Sequence, residues 1–391
     1  MQQTDPRDAV VVAYGRSAVT KGRKGALAQI HPIEYGGQVL AGVMSKVPNL
    51  NPLDIDDVIY GCTNLTDYQS YDVAKMIAAR AGLPEQTCAI TVSRFCASGS
   101  DAIAMGAAKI RADMADVVVC GGVESMSLVP QPTPETRKDY HWLEAHVDPN
   151  IYLHVGLCAE NTAKVCGMTR EDLDQLAVLS HQRAAKAQQE GKFRDEIIPV
   201  TLPGENGTSF VLDQDGCIRP DTNIEALSKL KPAFDPNGLV TAGTSSQVSD
   251  GTACLVLMSR EKADTLGISP IARFVGYAPG CASPAFLSPG VFEAIQKVTK
   301  RTGVSLEQMD LFEINEAFAP VVIELTRKLG LDLEKVNPNG GAMALGHPLG
   351  ATGAFLACKL FSELKRREGR YGMVAMCAAI GHGGAAIYEM L

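Results

Sequence analysis

The chain reads as an α/β protein built from two copies of one plan, and three observations predict it. Strand-like and helix-like patterns alternate through both halves. A strand, a break at small residues and a helix surround Cys96, and the same succession returns about 250 positions later around His347. Between the halves, a stretch with Pro130, Pro132, Pro134 and Pro149 interrupts the repeat.

Each element has a counterpart. Residues 9–14 are small and β-branched and read as an opening strand, with 272–277 as its echo. Residues 34–47 carry helical spacing, as do 291–302. A turn and short strand follow in each half, marked by Asp57-Val58-Ile59 and Asp310-Leu311-Phe312. Residues 87–92 form the strand before Cys96, and 101–110 the small-residue helix after it. Residues 350–367 form the matching helix after His347. Residues 117–120 and 373–377 then read as buried strands. The expectation is a pair of largely parallel sheets, stacked with helices between and outside them. One half covers 1–126 and 244–270, the other 271–391. Residues 127–243 are an insertion, with a helix over 169–191 and a polar stretch over 204–208. It is either a loop domain covering the site or a dimerisation arm.

Composition narrows the function. The 391 residues are 46% hydrophobic and 20% charged, as in ordinary globular proteins, and the net charge of -8 argues against nonspecific nucleic-acid binding. Residues 1–7 do not begin a signal peptide, and no apolar run is long enough to span a membrane. Eleven scattered cysteines without a C-x-x-C pair predict free thiols in a reducing cytoplasm. The seven histidines form no H-E-x-x-H, and His141 and His146 sit in a polar Pro-rich stretch, so no metal is expected.

Cys96 is the first candidate for chemistry. A helix N-terminus favours an anion, and a free thiol titrates near ~8.5, so a thiol placed there is expected to be lowered and nucleophilic. A buried core cysteine is the alternative. His347, between Gly346 and Pro348 in a Gly-rich segment, is a candidate general base or a structural histidine. Asn315 is either a helix N-cap or a side chain that holds a water or donor for an oxyanion. Cys377 is a second thiol just past a buried strand.

Taken in order, Ser-Arg-Phe-Cys-Ala-Ser-Gly at 93–99, Gly-Gly-Val-Glu-Ser-Met-Ser at 121–127, Asn-Glu-Ala-Phe at 315–318 and Gly-His-Pro at 346–348 resemble the thiolases. Lys-Pro-Ala-Phe-Asp at 231–235 and Ser-Asp-Gly at 249–251 extend the match over nearly the whole chain. The resemblance implies a doubled five-layer α-β-α-β-α fold with a loop domain. It implies that Cys96 accepts the acyl group, His347 deprotonates it, and Cys377 moves the α-proton. Asn315 would hold a water in one oxyanion hole, and the N–H groups of Cys96 and Ala379 would form the other.

For coenzyme A, a co-substrate and not a bound cofactor, the resemblance points to Arg219, Ser246, His154, Ala317 and Phe318. The implied activity is thiolytic cleavage of 3-ketoacyl-CoA, or the reverse condensation, in fatty acid β-oxidation. Residues 219–227 and 241–246 look more like degradative thiolases than acetoacetyl-specific ones. The alternatives are an acetoacetyl-CoA thiolase and a noncatalytic CoA- or lipid-binding relative. Relatives are homodimers or homotetramers, and docking to a multifunctional β-oxidation subunit is an open partner. Three departures stand out: Cys377-Ala378-Ala379 replaces Cys-x-Gly, His382 is unusual, either tuning Cys377 or standing by, and Gly290-Val291-Phe292-Glu293-Ala294 replaces the Gly-Pro-Val-Pro-Ala stretch that shapes the acyl pocket in relatives.

Overall fold

The computed structural model describes residues 5–131 and 142–391, so Pro132, Pro134 and His141 lie outside the described residues. The first half opens with β1 (Ala9–Arg16) and a two-residue β2 (Thr20–Lys21). Helix α1 (Pro32–Met44), β3 (Asp57–Gly61), α2 (Val73–Arg80) and β4 (Cys88–Val92) follow. Helix α3 (Ser98–Arg111) and β5 (Val117–Ser125) complete the first run.

The insertion carries α4 (Trp142–His146), α5 (Val155–Val165) and α6 (Arg170–Gln189). It continues with a hairpin of β6 (Val200–Pro203) and β7 (Ser209–Leu212), which the polar stretch over 204–208 closes, and with α7 (Ile224–Ser228). The chain returns through β8 (Ser249–Ser259) and α8 (Arg260–Leu266).

The second half comprises β9 (Ala272–Cys281), α9 (Ser288–Thr302), β10 (Leu311–Ile314) and α10 (Ala319–Leu329). It ends with α11 (Ala342–Leu345), α12 (Thr352–Arg367), β11 (Tyr371–Ala378) and β12 (His382–Met390).

The strand order displays the duplication. One path runs β10-β11-β12-β9-β1-β8-β5-β3-β4. Read outward from its middle, β1-β8-β5-β3-β4 matches β9-β12-β11-β10, and the fifth strand of the second half shrinks to a single parallel bridge between Phe312 and Val336. The halves meet where β1 pairs its own counterpart β9, through Val10 with Arg273 and Val11 with Ala272.

The expectation of largely parallel sheets is corrected. Only β3–β4, β3–β5 and β10–β11 are parallel, and the other pairings of this sheet are antiparallel. The reason is local in the second half, where β11 turns back into β12 over three residues and a tight turn forces an antiparallel partner.

Alternation along the strands sorts side chains into three cores. Val118 and Cys120 of β5 and Leu255 and Leu257 of β8 face a central core, together with Val374 and Met376 of β11. Helices α3 and α12 fill that core with Ile103, Ala107, Phe355 and Phe361. Val117, Val119 and Val256 face the opposite way, toward α1 and α2. Met373 and Ala375 face α9 and α10. The layers are therefore α1/α2, sheet, α3/α12, sheet, α9/α10. Helix α12 is apolar nearly all round because both sheets cover it. Its Lys359 is buried and reaches Glu313 at 2.7 Å.

The insertion is tied to the core through charge. Arg16 at the end of β1 is fully buried, 2.8 Å from both Glu196 and Asp215, and stacks on Phe355 and Phe193. No helix among the described residues is long and apolar enough to cross a membrane.

Candidate active site

Strand β4 ends at Val92, and the chain must turn sharply to enter α3 at Ser98. Phe95 makes the turn with φ of 49°, a left-handed conformation that costs a bulky residue energy. The turn is held from both sides. Ser98 Oγ donates to the Phe95 carbonyl at 2.5 Å, and Thr63 Oγ1 donates to the same oxygen at 3.0 Å. Cys96 follows at the helix start and is partly exposed.

The expected lowering of the Cys96 thiol is overturned. Burial pushes it well above the ordinary thiol range, and the nearby Cys377 and Glu124 push the same way. A hydrogen bond to its own backbone opposes them without prevailing. At rest Cys96 is an uncharged thiol, so it needs a base before it can attack anything.

His347 is 3% exposed and stands in the turn that leads into α12. Its N–H donates to Ser249 Oγ at 2.7 Å. The Thr352 hydroxyl donates to the Pro348 carbonyl at 2.8 Å, so its lone pairs face His347 Nδ1 at 2.6 Å and accept from it. That assigns the proton to Nδ1 and leaves the lone pair on Nε2. Burial lowers the imidazole to about 3, which keeps it neutral, with the Nε2 lone pair unprotonated. Asn315 Nδ2 approaches Nε2 at 3.3 Å.

The cap reading of Asn315 fails, because α10 begins at Ala319 with Phe318 in the N-cap position. Asn315 is instead fully buried beside the imidazole, and its Oδ1 has no partner among the described residues.

The two helix starts meet closely. A Cβ built on Gly353 would lie 2.2 Å from Ser100 N, and one on Gly99 would lie 2.9 Å from Gly350 O. Only bare backbone on both sides lets the turns after Cys96 and His347 approach this far. Cys377, in β11, is 2% exposed, and burial raises its thiol to about 12. Next to burial, it is the strongest influence on Cys96.

Ala379 lies in the turn after β11, where the left-handed residues are Ile380 (φ 61°) and Gly381 (φ 71°), so a Cβ at 379 meets no such strain. His382 packs against Phe95, with ring centroids 6.4 Å apart. Burial, then Arg94, lowers it, and Asp101 opposes them; it is absent from the groups acting on Cys377.

Of the residues expected to meet coenzyme A, four share one wall. His154 stacks on Phe234 at 5.3 Å, and Phe234 meets Phe318 edge-on at 5.7 Å. Ser246 donates its N–H to the Ala317 carbonyl at 2.9 Å. Arg219 is exposed and stands off this wall, joined to it through Gln247 Oε1 at 3.4 Å. Sequence reasoning gave no role to Phe234, although it lies in the quoted 231–235 motif. It also missed Thr352, the first residue of α12 and five residues after His347, and Glu124, a fully buried carboxylate acting on Cys96.

Two family models match the chain. They are the thiolase N-terminal domain over residues 9–261 and the thiolase C-terminal domain over residues 268–390. The chain is 44% identical to a 3-ketoacyl-CoA thiolase of Bacillus subtilis (strain 168), covering 98% of this chain and 100% of that protein. It is 39% identical to a 3-ketoacyl-CoA thiolase of Vibrio vulnificus (strain CMCP6), covering 98% and 99%. Among solved structures it resembles a Bacillus anthracis acetyl-CoA acetyltransferase with a TM-score of 0.88 and 37% identity, over 98% of this chain and 99% of that one.

Proposed function

This chain belongs to the thiolase family, and on that premise we propose that Cys96, His347, Cys377 and Asn315 carry the CoA-dependent cleavage of a 3-ketoacyl-CoA. The products are acetyl-CoA and an acyl-CoA shortened by two carbons. The chain is an acyltransferase, and β-oxidation of fatty acids is the setting this reaction fits.

The steps follow from the residue chemistry. His347 Nε2 takes the Cys96 proton, and the thiolate adds to the 3-keto carbon. The bond between C2 and C3 breaks, acetyl-CoA leaves as its enolate, and the Cys377 thiol protonates C2. Coenzyme A then gives its proton to Cys377, attacks the acyl-enzyme, and releases acyl-CoA while His347 returns a proton to Cys96. A water held by Asn315, with His347, stabilises one oxyanion, and the N–H groups of Cys96 and Ala379 stabilise the other. The wall of Ala317, Phe318, Ser246 and His154, with Arg219 at its edge, takes coenzyme A, under a loop domain spanning 127–243.

One observation carries the assignment. An uncharged Cys96 thiol stands at a helix start packed against the one that follows His347, whose Nε2 lone pair is turned to the buried Asn315 amide. Peptide mapping by mass spectrometry after incubation with acetyl-CoA tests it. An acetyl group on Cys96 is the expected result, and a clean Cys96 would favour the noncatalytic binder.

A second reading, acetoacetyl-CoA specificity, is favoured by the likeness to the Bacillus anthracis acetyl-CoA acetyltransferase. Steady-state rates on 3-ketoacyl-CoAs of increasing length separate the two. Collapse beyond four carbons selects the second reading, and a flat or rising series the first.

We also infer a homo-oligomer in the cytoplasm. Among the described residues strand β4 is a sheet edge, and Ile90 on it is 48% exposed, with Met105 (43%) and Tyr71 (91%) exposed in the same half. An unpaired edge with apolar neighbours suits a second copy of the chain. The eleven cysteines are all free, as a reducing compartment requires.

A further inference from the structure

We propose that Glu124 is a positioning residue whose single carboxylate fixes the turn carrying Cys96 against the turn carrying His347. The proposal rests on the reading of Cys96 as nucleophile and His347 as its base. Glu124 lies near the end of β5 and is fully buried. Its Oε2 accepts from Thr63 N at 2.8 Å and from Gly350 N at 2.8 Å.

These two bonds are the arms of the device. Thr63 also donates its hydroxyl to the carbonyl of Phe95, the residue before Cys96. Gly350 lies three residues after His347, in the turn Leu349–Ala351 that opens α12. One oxygen atom therefore bridges the two halves of the proposed catalytic pair.

The other oxygen locks the device in place. Oε1 accepts from Gln69 Nε2 at 2.8 Å and from Asn64 N at 3.3 Å, with the Cys62 thiol at 3.8 Å. Gln69 Oε1 accepts from Ser125 N, which sets the orientation of that amide. Every partner of the carboxylate is a donor, which is the pattern of an ionised, acceptor-only group. Among the described residues it forms no ion pair, and N–H groups together with the Cys62 thiol face its oxygens.

A fixed buried charge has an electrical consequence as well as a geometric one. The groups acting on the Cys96 thiol are Cys377 from β11 and Glu124 from β5, and both favour its protonated form. Around the carboxylate itself stand Cys62 at the end of β3 and Tyr35 of α1, whose hydroxyl donates to the Glu124 carbonyl at 3.0 Å. Neutralising Glu124 removes a negative charge near the thiol, so the Cys96 thiolate should form at lower pH.

The test pairs Glu124→Gln with Thr63→Val and reads kcat/KM on a 3-ketoacyl-CoA and the pH profile of Cys96 alkylation by iodoacetamide. Glutamine keeps the shape but turns an NH2 toward N–H donors. Its kcat/KM should fall roughly 10–100-fold, and its alkylation midpoint should drop by about half a pH unit or more. Thr63→Val keeps the charge and the backbone arm but removes the hydroxyl that ties Thr63 to the Phe95 carbonyl, so kcat/KM should fall about 10-fold with the alkylation midpoint unmoved.

Unchanged kcat/KM in both variants overturns the proposal. So does a loss of activity in Glu124→Gln with an unmoved midpoint, since ordinary packing would give that. Should Glu124→Gln not fold, Thr63→Val decides alone, and wild-type kcat/KM there overturns it. A wild-type enzyme that takes no acetyl group on Cys96 fails at the earlier reading, and this inference falls with it.

Discussion

The two halves of the molecule perform the same step, strand to turn to buried helix, and place different chemistry on it. In the first half the turn between β4 and α3 is five residues long, strained at Phe95, and leaves Cys96 partly open to solvent. In the second half the matching strand is a single bridge at Val336, and a long Gly-rich passage with α11 inside it delivers His347 fully buried. The short turn suits a nucleophile that must meet a substrate. The long one suits a base that must stay dry and neutral. Duplication supplied two helix starts that touch, and the length of the turn before each decided its use.

Cys96→Ala breaks the comparison outright. Thiolysis should fall by about 10⁴-fold or more, with no acetylated peptide in the mass spectrum. Cys377→Ala sharpens it by removing only the thiol assigned to proton transfer. Acetylation of Cys96 from acetyl-CoA should persist, while exchange of the acetyl α-protons with deuterated solvent should fall roughly 10²–10⁴-fold. Retained exchange would remove Cys377 from its role.

Thr352→Val tests whether the imidazole needs its partner. Without an acceptor at Nδ1 the proton is free to sit on Nε2, so kcat should drop roughly 10–100-fold while KM holds.

The smallest effect is on stability. Burial lowers His347 to about 3, and burial with Arg219 lowers His181 of α6 to about 4. Both lie below the value of about 6.5 expected for an unfolded chain. The unfolded chain therefore binds protons that the folded one refuses, and stability is lost as pH falls from about 6.5 toward 4. Thermal midpoints at pH 7 and 4.5 should differ, and His181→Asn should narrow the gap.

Much of this arrangement was legible because it is local. The strand before Cys96, the helices after Cys96 and His347, and the repeat itself all follow from periodicity over ten or so residues. What escaped depends on distant partners. The direction of β8 and β12 is set by pairing, not by pattern, so the sheets looked more parallel than they are. The lowered thiol expected at the α3 N-terminus weighed only the helix start, whereas burial, Cys377 and Glu124 push the other way. Asn315 resembles a cap in sequence, yet the helix starts four residues on and the amide turns to His347 instead. Glu124 was visible only as a letter in the 121–127 motif, because its partners lie in three other segments.

The contact between Gly353 and Ser100 also matters to anyone wishing to redesign this protein. That contact sets the spacing of the turns carrying Cys96 and His347, so a library randomised there should return almost no working clones, even with alanine.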